Sequence, residues 1–347
     1  MTAAKPWRVL FRLDAGPAVG LGHVGRCLPV ARALARRGAE ALFVMAGGEP
    51  GPRRVLAAGF PVTELAPGAA AFRDWLDRER PPVHAYFFDV RDDLCPGDLA
   101  RLRRQAVVAV LDDPTDKRLA ADLAFYPPVP GVADLPWTGF GGRLHVGFHW
   151  VPLDLDLPRQ PAEAAPVPPA GQLPLLVTMG GTDPHGLSEL ALKTLALVRT
   201  PVFATVVVGA ACPRLEACRA LAETLADRVR LVVGPVDLIP HMRAAGLALA
   251  AFGTTAYELA ALGVPSLLLG LTPDHVRSAG CLEEAGAARI AGPGTRLTPE
   301  ALARQLDALA ADPAGLTAMA QSALALPLGP GADNIARELL LALEQRP

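Results

Sequence analysis

Short apolar runs, each ending at glycine or aspartate, recur along this chain and alternate with helical patterns. In the first half they are "WRVLFRLD" (7–14), "AEALFVMAG" (39–47), "AYFFDV" (85–90) and "QAVVAVLDD" (105–113). A helical pattern at 23–37 lies between the first two, with Gly38 expected just past its end. Strands that alternate with helices need a parallel sheet covered on both faces. Six prolines then crowd "LPRQPAEAAPVPPAGQLP" (157–174) and leave no periodic pattern, as in a semi-rigid linker. The alternation restarts in "LPLLVTMGG" (173–181), "VFATVVVGA" (202–210), "RVRLVVG" (228–234), "GLALAAFG" (246–253) and "VPSLLLG" (264–270). Two doubly wound, Rossmann-like α/β domains are therefore expected, 1–157 and 173–330, joined by a linker at 158–172. Residues 331–347 form a C-terminal helix that can pack back on the first domain. Such twin domains enclose an interdomain cleft, and ligands sit outside the carboxyl ends of the strands.

With 347 residues, 51% of them hydrophobic, each half can bury its own core. A formal charge of −2 supplies no basic field for nucleic acid. The five cysteines include no C-x-x-C, so neither a disulfide framework nor a zinc site is indicated. Asp92-Asp93 and Asp112-Asp113 lack a nearby histidine pattern, and no metal is expected. His84, His145, His149, His185 and His241 are scattered and receive no role. No apolar signal core opens the sequence and no membrane span is apparent, which makes a cytoplasmic protein the default.

The stretch "AVGLGHVGRCLPVARAL" (18–34) contains G-x-G-x-x-G in Gly20, Gly22 and Gly25. A dinucleotide fingerprint starts almost directly after its strand and has an acidic residue near the end of the second one. Here "AGPAV" intervenes, and Glu40 and Glu49 flank the second strand rather than end it. No dinucleotide cofactor is expected. The same glycines suit a tight turn presenting His23 in the first turn of a helix, where a neutral imidazole can act as general base. Asp14 at the strand end and Arg26 one turn on are its company; a packing or capping histidine is the plain alternative. Pro29, inside this helix, predicts a kink or an irregular first turn.

Two strand–helix junctions in the second half are of phosphate size. Gly180, Gly181 and Thr182 precede one helix, and free amides there would face an anion together with the helix dipole. The plain reading makes Thr182 or Asp183 an N-cap. Gly253, Thr254 and Thr255 precede the other helix, where Thr255 and Glu258 have the spacing of a capping box. Alternatively Thr254 and Thr255 hold phosphates and Glu258 a ribose diol.

"RLDAGPAVGLGHVGRCLPVARAL", "VTMGGTDP", "FGTTAYELAALGVPSLLL" and "GADNIARELL" together resemble the UDP-sugar hydrolase of pseudaminic-acid biosynthesis. That family shares the GT-B fold with glycosyltransferases such as the peptidoglycan N-acetylglucosaminyltransferase. The resemblance implies cleavage of UDP-2,4-diacetamido-2,4,6-trideoxy-β-L-altropyranose, or a relative, by water attack at the anomeric carbon with inversion. It implies that His23 is the general base, with Asp14 as the motif aspartate. Gly20, Gly22 and Arg26 belong to the same motif, and Gly180, Gly181, Gly253, Thr254, Thr255 and Glu258 become diphosphate and ribose contacts. A nucleoside diphosphate leaves as a stabilised anion, so one base plus phosphate donors suffices. The UDP-sugar is the expected partner, with no cofactor.

The chain departs from the family where the sugar should lie. Asp274-His275 replaces an Asn-Gln pair whose Asn matters for activity, Val90-Arg91 follows the aspartate that ends the third strand, where a tyrosine is usual, and "AFYPPVP" stands for an "LNQN"-like segment. Asp274 and His275 together are expected to replace the Asn and select the sugar; as a plain alternative, "TPDH" is a helix start. Two other readings stay open: a GT-B glycosyltransferase in which His23 deprotonates an acceptor hydroxyl, and a nucleotide-sugar-binding protein without catalysis.

Overall fold

The computed structural model describes residues 6–16, 19–155, 169–234 and 237–346. They form two compact units, Met1–Asp154 with Gly329–Pro347, and Leu155–Leu328. The linker expected at 158–172 falls outside the described residues except for its last four.

The first unit contains β1 (Arg8–Asp14), α1 (Gly22–Ala35), β2 (Glu40–Ala46), α2 (Gly51–Ala57), β3 (Val62–Glu64), α3 (Ala69–Glu79), β4 (Ala85–Asp89), α4 (Pro96–Arg103), β5 (Val107–Leu111), β6 (Leu123–Tyr126) and β7 (Arg143–Val146). Its strands are all parallel, in the order β3-β2-β1-β4-β5-β6-β7. The order reverses between β1 and β4, so the loops leaving those two strands diverge and open a crevice at their carboxyl ends. Alternation along β1 sorts its side chains between two cores. Val9, Phe11 and Leu13 pack with α1, whereas Leu10 packs with Phe72, Trp75 and Phe88.

The second unit contains β8 (Leu173–Thr178), α5 (Leu187–Leu195), β9 (Val202–Val208), α6 (Leu215–Glu223), β10 (Val229–Val233), α7 (Ile239–Arg243), β11 (Leu247–Ala251), α8 (Thr254–Ala261), β12 (Ser266–Gly270), α9 (Pro273–Glu284), β13 (Arg289–Pro293), α10 (Pro299–Ala310) and α11 (Pro313–Leu324). Its parallel order β10-β9-β8-β11-β12-β13 reverses between β8 and β11. The glycine–threonine loops therefore leave the two strands at the switch point.

The last helix, α12 (Gly331–Glu344), belongs to the first unit. Ile335, Ala336, Leu339 and Leu343 enter the core beside α1. Asp333 is ion-paired with Arg36 and Arg37, and Asn334 donates to the His149 carbonyl at 2.9 Å. Each apolar side chain buried this way contributes about 1.5–3 kcal/mol before entropy is counted.

Four strands escape the sequence reading: β3, β6, β7 and β13. β3 has three residues and β7 is mostly exposed, so neither shows a run of apolar residues. α1 ends two residues before the predicted 37, and Gly38 takes the left-handed turn (φ 80°) that follows. The helix runs through Pro29 as one element, and the residue at which a kink or an irregular first turn is expected from sequence lies inside it.

Candidate functional site

His23 lies in the first turn of α1, immediately beyond the crevice loop of β1. Gly20 adopts φ 82°, and Gly16 and Gly20 bond to one another across the turn, N to O at 3.2 and 2.7 Å. A side chain at Gly16 would overlap the Gly47 backbone, so the loops after β1 and β2 pass at a distance only glycine allows. Gly22 starts the helix, and no side chain caps it.

The partner of His23 is Asp89, at the carboxyl end of β4 across the switch point. His23 Nδ1 lies 2.7 Å from Asp89 Oδ1, and the carboxylate is completely buried. Arg26, one turn along α1, grips the same carboxylate in bidentate fashion, Nε to Oδ2 at 3.0 Å and Nη2 to Oδ1 at 2.7 Å. Its third nitrogen donates to Asp112 at 3.1 Å, and the Cys27 thiol donates to Asp89 at 3.7 Å. Burial alone would raise the Asp89 pKa; the charges of Arg26 and His23, with their hydrogen bonds, outweigh it and hold the carboxyl well below the usual range. Burial and the adjacent carboxylate push the Cys27 thiol well up, which keeps it protonated.

These contacts decide the tautomer of His23. Arg26 Nη2 also lies 3.1 Å from Nδ1, but a guanidinium donates only and already donates to Asp89. An ionised carboxylate accepts only, so the imidazole proton sits on Nδ1. Nε2 is then the unprotonated nitrogen, the one suited to accept a proton. Asp89 orients the ring and would stabilise an imidazolium as it forms.

Asp14, assigned beside His23 from sequence, has other work. It pairs with Arg12 and accepts from the Ala46 amide at 2.9 Å, tying β1 to β2. Asp89 takes the place given to it, and Arg26 serves first as the partner of Asp89 and Asp112. The signal for Asp89 was its position at the end of the run "AYFFDV"; the pairing of β4 with β1, which brings it to His23, is a property of topology.

In the second unit the two glycine–threonine loops differ. Asp183, buried and at φ 40°, turns its carboxylate onto the start of α5: Oδ1 accepts from the Leu187 amide at 2.8 Å and Oδ2 from Ser188 at 2.7 Å. The first-turn amides of α5 are thus taken by a carboxylate, and a second negative charge beside it would be repelled; the Gly180, Gly181 and Thr182 amides singled out from sequence are not part of this cap. Gly180, Gly181 and Thr182 form the loop before it, where the Gly181 backbone packs so closely on Gly209 that a side chain at Gly209 would overlap it. At α8 the N-cap is Gly253, in extended backbone, and no side-chain hydrogen bond caps the helix. The capping box of Thr255 and Glu258 is not formed, because the helix starts at Thr254 and both residues already lie inside it. Thr254 and Thr255 supply first-turn amides and hydroxyls without a carboxylate in that turn, the electrostatics an anion needs.

Asp274 and His275 occupy the first turn of α9. Thr272 is the N-cap and accepts from the His275 amide at 3.2 Å; Asp274 is exposed in the first turn, where the dipole favours a carboxylate. The His275 ring faces Phe252 with centroids 6.4 Å apart, and its Nδ1 is buried with no hydrogen-bond partner among the described residues. Among the described residues no group of three His, Cys, Asp or Glu could hold a metal, and no helix is long and apolar enough to cross a membrane.

No protein-family model matches the chain. A UDP-N-acetylglucosamine--N-acetylmuramyl-(pentapeptide) pyrophosphoryl-undecaprenol N-acetylglucosamine transferase from Bradyrhizobium sp. (strain ORS 278) is 32% identical over 205 residues, 57% of this chain and 55% of that protein. The chain thus spans about half the length of the curated relatives it matches. Among solved structures, Acinetobacter baumannii MurG superposes with a TM-score of 0.66 at 19% identity, covering 97% of this chain and 100% of that one. A putative UDP-N-acetylglucosamine 2-epimerase from Listeria monocytogenes gives 0.65 at 15% identity, covering 99% and 98%. The fold is that of GT-B glycosyltransferases, two Rossmann-like α/β units each built on a parallel sheet.

Proposed function

We propose that the chain transfers a glycosyl group from a UDP-sugar to a hydroxyl acceptor, with His23 as general base. The observation that carries this is the His23–Asp89 couple at the switch point of the first sheet, with the tautomer that leaves Nε2 open. Nε2 takes the acceptor's proton as its oxygen bonds to the anomeric carbon. The bond from that carbon to the β-phosphate oxygen breaks, and UDP departs with inversion of configuration. The first turn of α8, with Gly253, Thr254 and Thr255, would hold the leaving diphosphate, and Glu258 the ribose diol. The similarity to a UDP-N-acetylglucosamine transferase supports a UDP-linked acetamido sugar as donor. It supports transfer to a sugar over the pseudaminic-type hydrolysis that the motifs resemble.

Water as acceptor is the second reading, favoured by one feature, the "GLGHVGR" segment and its likeness to the hydrolase motif. One experiment separates the two. Purified protein is incubated with a panel of UDP-acetamido sugars, with and without hydroxyl acceptors, while UDP is followed by chromatography and the sugar's anomeric configuration by NMR. Acceptor-dependent UDP release supports transfer, and equal release of free sugar without acceptor selects hydrolysis. UDP binding without turnover of any donor would reject both and leave a binding protein.

A further inference from the structure

A second set of charges, completely buried, lies in the first unit next to the His23 couple without touching it. Lys117 stands in a short 3-10 turn (Asp116–Ala120) and is inaccessible to solvent. Its Nζ donates to the Val90 carbonyl at 3.0 Å and to Asp92 Oδ1 at 3.2 Å, and pairs with Asp113 Oδ2 at 3.3 Å. Val90 directly follows Asp89, and Asp113 directly follows Asp112. One ammonium group therefore fastens together the two loops whose preceding carboxylates hold Arg26.

Both loops need fastening. Asp112 has φ 51°, a left-handed conformation that strains a non-glycine residue unless its surroundings hold it. Its neighbour Asp113 is clamped from every side. Its Oδ1 accepts from the Thr115 amide at 2.8 Å and hydroxyl at 2.7 Å, and its carbonyl accepts from Tyr126 Oη at 2.5 Å. On the other loop Asp92 also accepts from Arg12 at 3.2 Å, and Arg12, buried on β1 over the Phe72 ring, reaches back to Asp14. The network thus runs from the end of β1 through the β4 loop to the β5 loop. It ends one residue short of each carboxylate that grips Arg26.

We infer that Lys117 is a positioning residue for the His23–Asp89–Arg26 site, setting the relative placement of Asp89 and Asp112 and through them the orientation of the imidazole. A buried cation with three oxygen partners is costly to desolvate, and for fold stability alone an apolar pair would serve as well. Its return is geometric, because a displacement of about 1 Å at a reacting group can cost on the order of 100-fold in rate.

As a test of kinetics this rests on the turnover proposed above, so the first readout does not need turnover. Protein labelled with ¹⁵N-histidine, with the His23 signals assigned by their loss in His23→Gln, reports the tautomer by NMR. The wild type is expected to show the Nδ1–H form. Lys117→Met strands two buried carboxylates, so the charge-compensated Lys117→Met/Asp113→Asn is measured beside it. In the folded variant His23 is expected to populate the Nε2–H form as well. On whichever UDP-sugar the wild type turns over, kcat should fall about 10- to 100-fold with KM within twofold. A folded variant with an unchanged His23 spectrum overturns the inference. So does failure of both variants to melt cooperatively, which would make Lys117 a residue of the fold alone. If no UDP-sugar is turned over, the function proposed above fails while the NMR result still decides the placement.

Discussion

Asp89→Asn exchanges one atom in the site, and the outcome can be worked through from its contacts. The carboxylate receives four donors: His23 Nδ1, two nitrogens of Arg26 and the Cys27 thiol. An asparagine has one acceptor oxygen and one donor group. With its oxygen at Oδ1, the new NH₂ faces Arg26 Nε, a donor 3.0 Å away. With its oxygen at Oδ2, the NH₂ faces both His23 Nδ1 and Arg26 Nη2, each at 2.7 Å in the native site. Either arrangement sets donor against donor, and the second drives the histidine proton to Nε2. Losing a hydrogen bond to a charged group costs about 1.5–3 kcal/mol, or roughly 10- to 150-fold in kcat if it is lost at the transition state. The stability effect has a definite sign. The Asp89 pKa is depressed in the folded state, so its contribution is complete above the unfolded value of about 3.9 and is lost as pH falls below it. Unfolding free energies from urea titrations of wild type and variant should therefore differ by about 3 kcal/mol at pH 7, keep that gap down to about pH 4, and narrow only below it. A gap that stays constant from pH 7 to pH 3, or an unchanged kcat, would refute an ionised Asp89 that orients His23.

Asp183→Ala should lower stability by about 1–2 kcal/mol through the lost cap of α5, read as a melting shift, while the UDP dissociation constant stays within twofold. Glu258→Ala should weaken UDP binding roughly tenfold by calorimetry if the glutamate holds the ribose diol; unchanged affinity would remove it from the site. Asp274→Asn should change the ranking of UDP-sugars more than it changes UDP affinity; an unchanged ranking and rate would leave the residue as a helix start.

The alternation of apolar runs was enough to read nine of the strands and the doubly wound class, because buried parallel strands need continuous apolar stretches. β3, β7 and β13 carry too few buried residues to stand out from loops, and β6, though wholly buried, is only four residues long. His23 was legible because glycines surround it. Asp89 was not, since it lies 66 residues from His23 and only the β1–β4 pairing brings the two together. The choice of Asp14 followed chain proximity, whereas its side chain points to β2 and Arg12. The Thr255–Glu258 spacing fits a capping box, yet Gly253 gives the backbone its entry into α8 and moves the helix start upstream. Lys117 left no mark in the sequence, because a buried lysine looks like any surface lysine until three oxygens are placed around it.

The most direct measurement is UDP release from a UDP-acetamido sugar, in the presence of a hydroxyl acceptor, by wild type and by His23→Gln. The wild type is expected to turn over the donor, and the variant to lose at least about 100-fold in kcat, the usual scale for loss of a general base, with UDP affinity nearly unchanged. Near-normal turnover in His23→Gln, in a protein that still binds UDP, would contradict a mechanism built on the His23–Asp89 couple.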